Sequence, residues 1–183
     1  MKRWKTLVAA MTSLLSSACS TTPPENVDVV KNFDIHRYLG TWYEIARLDH
    51  RFERGLDRVT ATYHPREDGG ITVTNRGFNS QQQRWKESTG KGYLTGDPET
   101  ASLKVSFFGP FYGSYNVIEL DEAYRYAMIC GPNRNYLWIL SRTPTLDDAV
   151  KQALLTTARR YGFDTEQLIW VNQSDEDVAG AKY

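Results

Sequence analysis

From residue 59 onward the chain breaks into short stretches in which apolar and polar side chains alternate, and this period of two constrains the fold more than any other feature. The stretches are 59–63, 71–77, 83–93, 103–107, 115–120, 126–130 and 136–141, and residues 41–48 supply an earlier one. Asp68-Gly69-Gly70, Gly96-Asp97-Pro98 and Gly131-Pro132-Asn133 stand between them as turn signals. Eight short strands at regular spacing predict an all-β domain, an antiparallel sandwich or barrel. One helix interrupts the series. It is expected to start at Thr145 after Pro144, with Asp148 three residues on, and it places Leu146, Ala149, Val150, Ala153, Leu154 and Ala158 on one face. Arg159, Arg160 and Gly162 mark its C-terminus, and a short last strand, 168–171, follows. An eight-stranded antiparallel up-and-down barrel accommodates this order. It has no open edge, uses the helix only as an outer buttress, and encloses room for one small ligand.

The N-terminus reads differently. Lys2, Arg3 and Lys5 precede an apolar run over 6–15, then Ser16-Ser17-Ala18, then Cys19. Ten residues rise about 15 Å as a helix, half a bilayer core, so the run is a secretory signal rather than a span. The small residues before Cys19 resemble a bacterial lipobox, with Ser16 where an aliphatic residue usually stands. That resemblance implies a diacylglycerol on the Cys19 thiol, and Ser20 after it favours the outer membrane. An ordinary cleaved signal with Cys19 near the cut is the alternative. Residues 20–30 are polar and proline-containing, as in a tether. The expected division is signal peptide 1–18, lipidated N-terminus and tether 19–31, barrel domain 32–173 and polar tail 174–183.

Charge bears on partners. Basic and acidic residues balance at 22 each, and loss of the signal leaves the mature chain at about −3, with no basic field for a nucleic acid. His36, His50 and His64 fall on different segments, and neither cysteines nor paired acids complete a metal set, so no metal and no cofactor is expected. No nucleophile elbow, phosphate loop or dinucleotide fingerprint occurs, and no catalytic residue is assigned. Cys130 is either a buried small hydrophobe or the nucleophile of a lipid-modifying enzyme.

Ahead of the first strand stand Asn32-Phe33-Asp34 and then Tyr38-Leu39-Gly40-Thr41-Trp42-Tyr43-Glu44. Asp121 lies in the turn before the seventh strand, and Leu140-Ser141-Arg142 ends the eighth. With 106–113 (Ser-Phe-Phe-Gly-Pro-Phe-Tyr-Gly), these segments resemble the lipocalin family over roughly 33–171, in its bacterial and apolipoprotein D-like branch. The resemblance implies that Gly40 and Trp42 open the first strand at the closed end and that Arg142 stacks on Trp42, all three in structural roles. It also implies a carrier or store of fatty acids or lysophospholipids, lipid-anchored in the outer membrane on its periplasmic side and serving envelope maintenance or stress. Two other readings stay open: the Cys130 enzyme, and a structural envelope protein acting through a partner or as a homodimer.

Alternation sets the lining, because one inward residue fixes its neighbours at steps of two. Trp42 inward implies Glu44 and Ala46, and Arg142 inward implies Leu140, Trp138 and Tyr136. The resemblance adds Ala61, Tyr63, Val73, Asn75 and Gly77 from the second and third strands, and Val105, Phe107, Asn116 and Ile118 from the fifth and sixth. A bulge in any strand reverses the parity beyond it. The loop 49–58 is expected at the open end, with Phe52 and arginines that either meet a ligand head group or are simply solvated.

Overall fold

The computed structural model describes residues 21–174. A short helix α1 (Ile35–Tyr38) leads into strands β1 (Gly40–Arg47), β2 (Leu56–Pro65), β3 (Ile71–Asn79) and β4 (Arg84–Leu94). Strands β5 (Ser102–Phe108), β6 (Phe111–Leu120), β7 (Tyr126–Cys130) and β8 (Leu137–Ser141) follow, then helix α2 (Asp148–Arg160) and a two-residue strand β9 (Ile169–Trp170). Each strand pairs antiparallel with the next, and β1 pairs with both β2 and β8, which closes an eight-stranded barrel; β9 adds to β1 from outside. Closure satisfies the edge hydrogen bonds that an open sheet would present.

The connections alternate between two ends. Turns β2–β3, β4–β5 and β6–β7 lie with α1 at the closed end; turns β1–β2, β3–β4, β5–β6 and β7–β8 surround the open end. Two apolar clusters follow from the pleat. One fills the inside from the closed end and includes Phe33, Tyr38, Trp42, Tyr63, Ile71, Val73, Leu103, Val117, Ile129 and Leu140. The other lies outside, between Ile45, Ala46, Met128, Cys130, Leu137 and Ile139 of the sheet and Leu154, Leu155 and Ala158 of α2.

The helix begins three residues later than its sequence suggests. Asp147 is the N-cap residue and makes no side-chain capping bond, while Ala149 and Ala153 are exposed and Leu155 is buried. Its end follows the sequence signal. Gly162 adopts φ +81°, its N–H donates to the Arg159 carbonyl, and the Phe163 N–H donates to Ala158, so a glycine closes the helix and Phe163 packs into the outer cluster.

Residues 21–31, read above as a structureless tether, lie against the barrel. The Phe33 N–H donates to Glu99, Val30 N–H to Val117 and Ala101 N–H to Val30, while Val27 is buried in the outer cluster. Farther from the domain, the Glu25 carbonyl accepts from Arg134 and the Thr22 carbonyl from Ser114. The segment thus runs along the barrel wall from the closed end toward the open one. Residues 1–20, including the signal and Cys19, and residues 175–183 lie outside the described residues.

Candidate functional site

The floor of the lumen is aromatic. Gly40 holds φ +93°, a backbone state that suits glycine, and an added Cβ would stand 3.3 Å from Arg142 Nη1. Trp42 is fully buried, donates from its indole to the Tyr38 carbonyl at 2.8 Å, and carries the Arg142 guanidinium 3.9 Å from its ring centre. Arg142 also donates to the carbonyls of Arg37, Thr41 and Tyr124 at 2.9–3.2 Å, tying α1 and the β6–β7 turn to the barrel. Above Trp42 the Tyr115 hydroxyl joins those of Tyr38 and Tyr63 at 2.7 Å each. Burial raises the pKa of all three phenols, so they stand neutral as a shared hydrogen-bonded chain. Tyr38 and Tyr115 escaped sequence reasoning, although Tyr115 alternates with Gly113 and Val117.

The walls separate the expected lining residues into two groups. Ala61, Tyr63, Val73, Val105, Phe107, Trp138 and Leu140 belong to the inner cluster, with Glu44 paired opposite Leu140 and Asn75 opposite Ala61. Gly77 is buried near the mouth, where an added Cβ would meet Leu56 and Val59 at 3.1 Å. Tyr136 is not in a strand; its ring lies in the β7–β8 turn beside His50 and Trp138.

Three assignments are corrected. A bulge between Glu44 and Ala46 puts Ile45 and Ala46 together on the outer face under α2, and Arg47 takes the inward position opposite Trp138. In β6 the pairing of Gly113 with Val105 sends Gly113, Tyr115 and Val117 inward. Asn116 therefore faces out, where it accepts from Ser102 Oγ at 2.9 Å, and Ile118, two residues on, lies on the same outer face in the outer cluster.

Near the mouth a buried polar cluster interrupts the apolar lining. Arg47 donates to Glu44 at 2.8 Å and to the carbonyls of Glu53 and Leu56, while Trp138 donates from its indole to Glu53 at 3.0 Å. His50 Nε2 stands 3.0 Å from Glu53, out of line for a hydrogen bond, and its ring stacks on Phe52 at 3.9 Å. Among the described residues, Arg47 Nε and both His50 nitrogens are buried and find no hydrogen-bond partner. Burial, and then the nearby Glu53 carboxylate, push the Glu44 carboxyl up to about 8 against the pull of Arg47. Two of the loop arginines are engaged away from the lumen: Arg54 pairs with Asp49, and Arg58 lies over Phe78 on the outer face.

On the β3–β6 side the inward residues keep access to solvent. Ala61, Asn75, Val105, Phe107 and Tyr115 are half-buried, and Lys86, Ser88 and Gly113, on the same inner face, are exposed. A filled core would bury these positions, so this half of the barrel is open space lined by apolar and small polar groups, the usual chemistry of a ligand pocket. A separate cleft of about 230 Å³ opens at the closed end between α1 and the β2–β3 turn, lined by Ile35, Leu39, Arg66 and Ile71.

Cys130 faces the outer cluster, and burial pushes its thiol up to about 12, so it offers neither thiolate nor access from the lumen. Among the described residues no three His, Cys, Asp or Glu side chains converge as metal ligands would.

Comparisons with known proteins agree with this geometry. The profile of a lipocalin-like domain matches residues 33–173. The chain is 64% identical to the outer membrane lipoprotein Blc of Citrobacter freundii, over 91% of its own length and 96% of the relative's. It is 63% identical, with the same coverage, to the protein of that name from Escherichia coli K12. Mouse apolipoprotein D is 30% identical over 80% of each chain. Among solved structures, insecticyanin of the tobacco hornworm Manduca sexta superposes with a TM-score of 0.69 at 20% identity, covering 88% of this chain and 90% of its own, a likeness of fold.

Proposed function

The chain belongs to the lipocalin family, with outer membrane lipoproteins as relatives at 52–64% identity, and from this premise we propose that it carries or stores a single-chain lipid in its lumen. The outer membrane is its location, as it is for those relatives. The observation that carries the reading is the half-accessible apolar wall of Ala61, Val105, Phe107 and Tyr115 above the sealed Trp42 floor. A fatty acid or lysophospholipid suits such a slot. A chain of about fifteen methylenes gains roughly 12 kcal/mol on burial, before the ordering and association costs. The Arg47–Glu53 cluster sits where a head group at the mouth would lie, and a role in envelope maintenance follows for a carrier that lives on a membrane.

The proposed anchor is a lipid on Cys19. Radioactive palmitate should label the chain and fail to label Cys19→Ala; incorporation that survives the substitution removes the anchor. Native mass spectrometry of protein extracted from membranes should show one bound lipid on each barrel, and it reports a homodimer in the same spectrum. A barrel that emerges empty and refuses added oleate or lysophosphatidylethanolamine defeats the carrier reading.

A further inference from the structure

We propose that the open end of the barrel docks on the lipid bilayer, its rim phenylalanines set in the interface so that the lumen opens directly onto the membrane. The proposal rests in part on the anchor at Cys19. Large exposed apolar side chains are concentrated here: Phe52 is 64% exposed, Phe108 81% and Phe111 68%. Phe52 lies in the β1–β2 loop, and Phe108 and Phe111 flank the β5–β6 turn. In an eight-stranded ring these two connections are half a circumference apart, so the phenylalanines straddle the mouth. Side chains of this size standing in water on both sides of one opening mark a surface that is covered in use.

The route of the N-terminal segment identifies what covers it. From Phe33 at the closed end the chain passes Val30, bonded to Val117, then Glu25, held by Arg134 of the β7–β8 turn, and reaches Thr22 beside Ser114 near the start of β6. Cys19 precedes Thr22 by three residues, a reach of at most about 11 Å. A lipid on Cys19 therefore enters its bilayer next to the β5–β6 hairpin, with the open end nearest the membrane.

Charge favours the same orientation. The closed-end turns carry Glu67, Asp68, Asp97, Glu99, Asp121 and Glu122 against Arg66 and Arg125. The open-end loops carry Arg51, Arg54 and Arg134 against Asp49 and the buried Glu53. A bilayer containing anionic lipid repels the first end and accepts the second. Docked in this way, an acyl chain passes between bilayer and lumen without crossing water.

The test uses the full lipidated chain, reconstituted into vesicles of phosphatidylethanolamine with a minority of phosphatidylglycerol. An environment-sensitive fluorophore is placed on Ser80→Cys in the β3–β4 turn at the open end, or on Glu67→Cys at the closed end; the buried Cys130 does not compete for label. Brominated lipid should quench the first probe and spare the second. Replacing Phe52, Phe108 and Phe111 by serine should lower the docked-to-free ratio about a hundredfold and return the Ser80 probe to water. These are surface positions, so an unchanged urea midpoint confirms that the variant is folded. Equal quenching of both probes, or none at the open end, overturns the proposal. So does a triple variant that keeps its quenching. If the phenylalanine variant instead turns a dimer into a monomer and leaves quenching unchanged, the rim joins two copies and the bilayer proposal falls. Palmitate labelling reports the anchor independently: should it find none, the secreted chain with Cys19→Ser, so that no second thiol takes the label, is added to the same vesicles, and the same probe pair decides docking without it.

Discussion

Arg47 donates a 2.8 Å hydrogen bond to Glu44 three residues back in the same strand, although residues so spaced in a regular strand face opposite sides of the sheet. The bulge at Ile45 makes the contact, and it gives the lumen a buried arginine–carboxyl pair beside a second acidic side chain, Glu53.

That arrangement makes stability depend on pH. An ordinary carboxyl titrates near 4.5, and folding raises Glu44 to about 8, so between these values the folded chain binds more protons than the unfolded one. The stability contributed by the neutral carboxyl is complete below about pH 4.5 and is lost as pH rises to about 8. The slope from one proton is at most about 1.4 kcal/mol per pH unit. Urea unfolding of wild type and Glu44→Gln from pH 5 to 8 should show a falling difference curve, and parallel curves would refute the assignment.

The floor pair should behave as a structural unit. Arg142→Ala removes the stacking on Trp42 and three hydrogen bonds to carbonyls, and should cost about 2–4 kcal/mol. Arg142→Lys should recover little of this, because an ammonium cannot span Arg37, Thr41 and Tyr124 as a planar fork does. Denaturation midpoints at constant m-value measure both, and full rescue by lysine would count against the geometry.

Two alanines of similar size in neighbouring strands should respond in opposite ways. Ala61 is half-buried on the inner wall, so Ala61→Trp should fill lumen space and weaken oleate binding about tenfold or more while leaving stability nearly intact. Ala46 is fully buried beneath α2, so Ala46→Trp should cost about 1–3 kcal/mol or more by overpacking and spare affinity in the protein that remains folded. Isothermal titration paired with thermal melts separates the two, and a reversed pattern would restore Ala46 to the lining.

Cys130 should be silent toward ligand. Alkylation with iodoacetamide at pH 8 should proceed only in denaturant, since the thiol is buried and its pKa stands at about 12. Cys130→Ala should bind oleate like the parent chain. Rapid alkylation of the native protein, or loss of turnover on a lipid substrate, would revive the enzymatic reading.

Much of this architecture is legible in the chain itself, because alternation, turn residues and helix punctuation are local. The period of two specified strands and faces, Gly162 ended the helix, and the Gly40-Thr41-Trp42 and Arg142 motifs marked the ends of β1 and β8. The inward face follows the family resemblance where pairing runs without a shift, as between Thr60–Pro65 of β2 and Ile71–Arg76 of β3. It was not legible at Ala46, Asn116 and Ile118. At Ala46 a bulge reversed the parity, whereas at Asn116 and Ile118 the whole strand takes the opposite face, fixed by Gly113 pairing with Val105; both are set by pairing across the barrel rather than by the residues themselves. The same long-range closure placed Arg47 inside, assembled three tyrosines from α1, β2 and β6 into one chain, and laid residues 21–31 along the wall. Sequence alone determined that this chain makes a barrel with a Trp42 floor; which side chains look into it was decided only when the strands met.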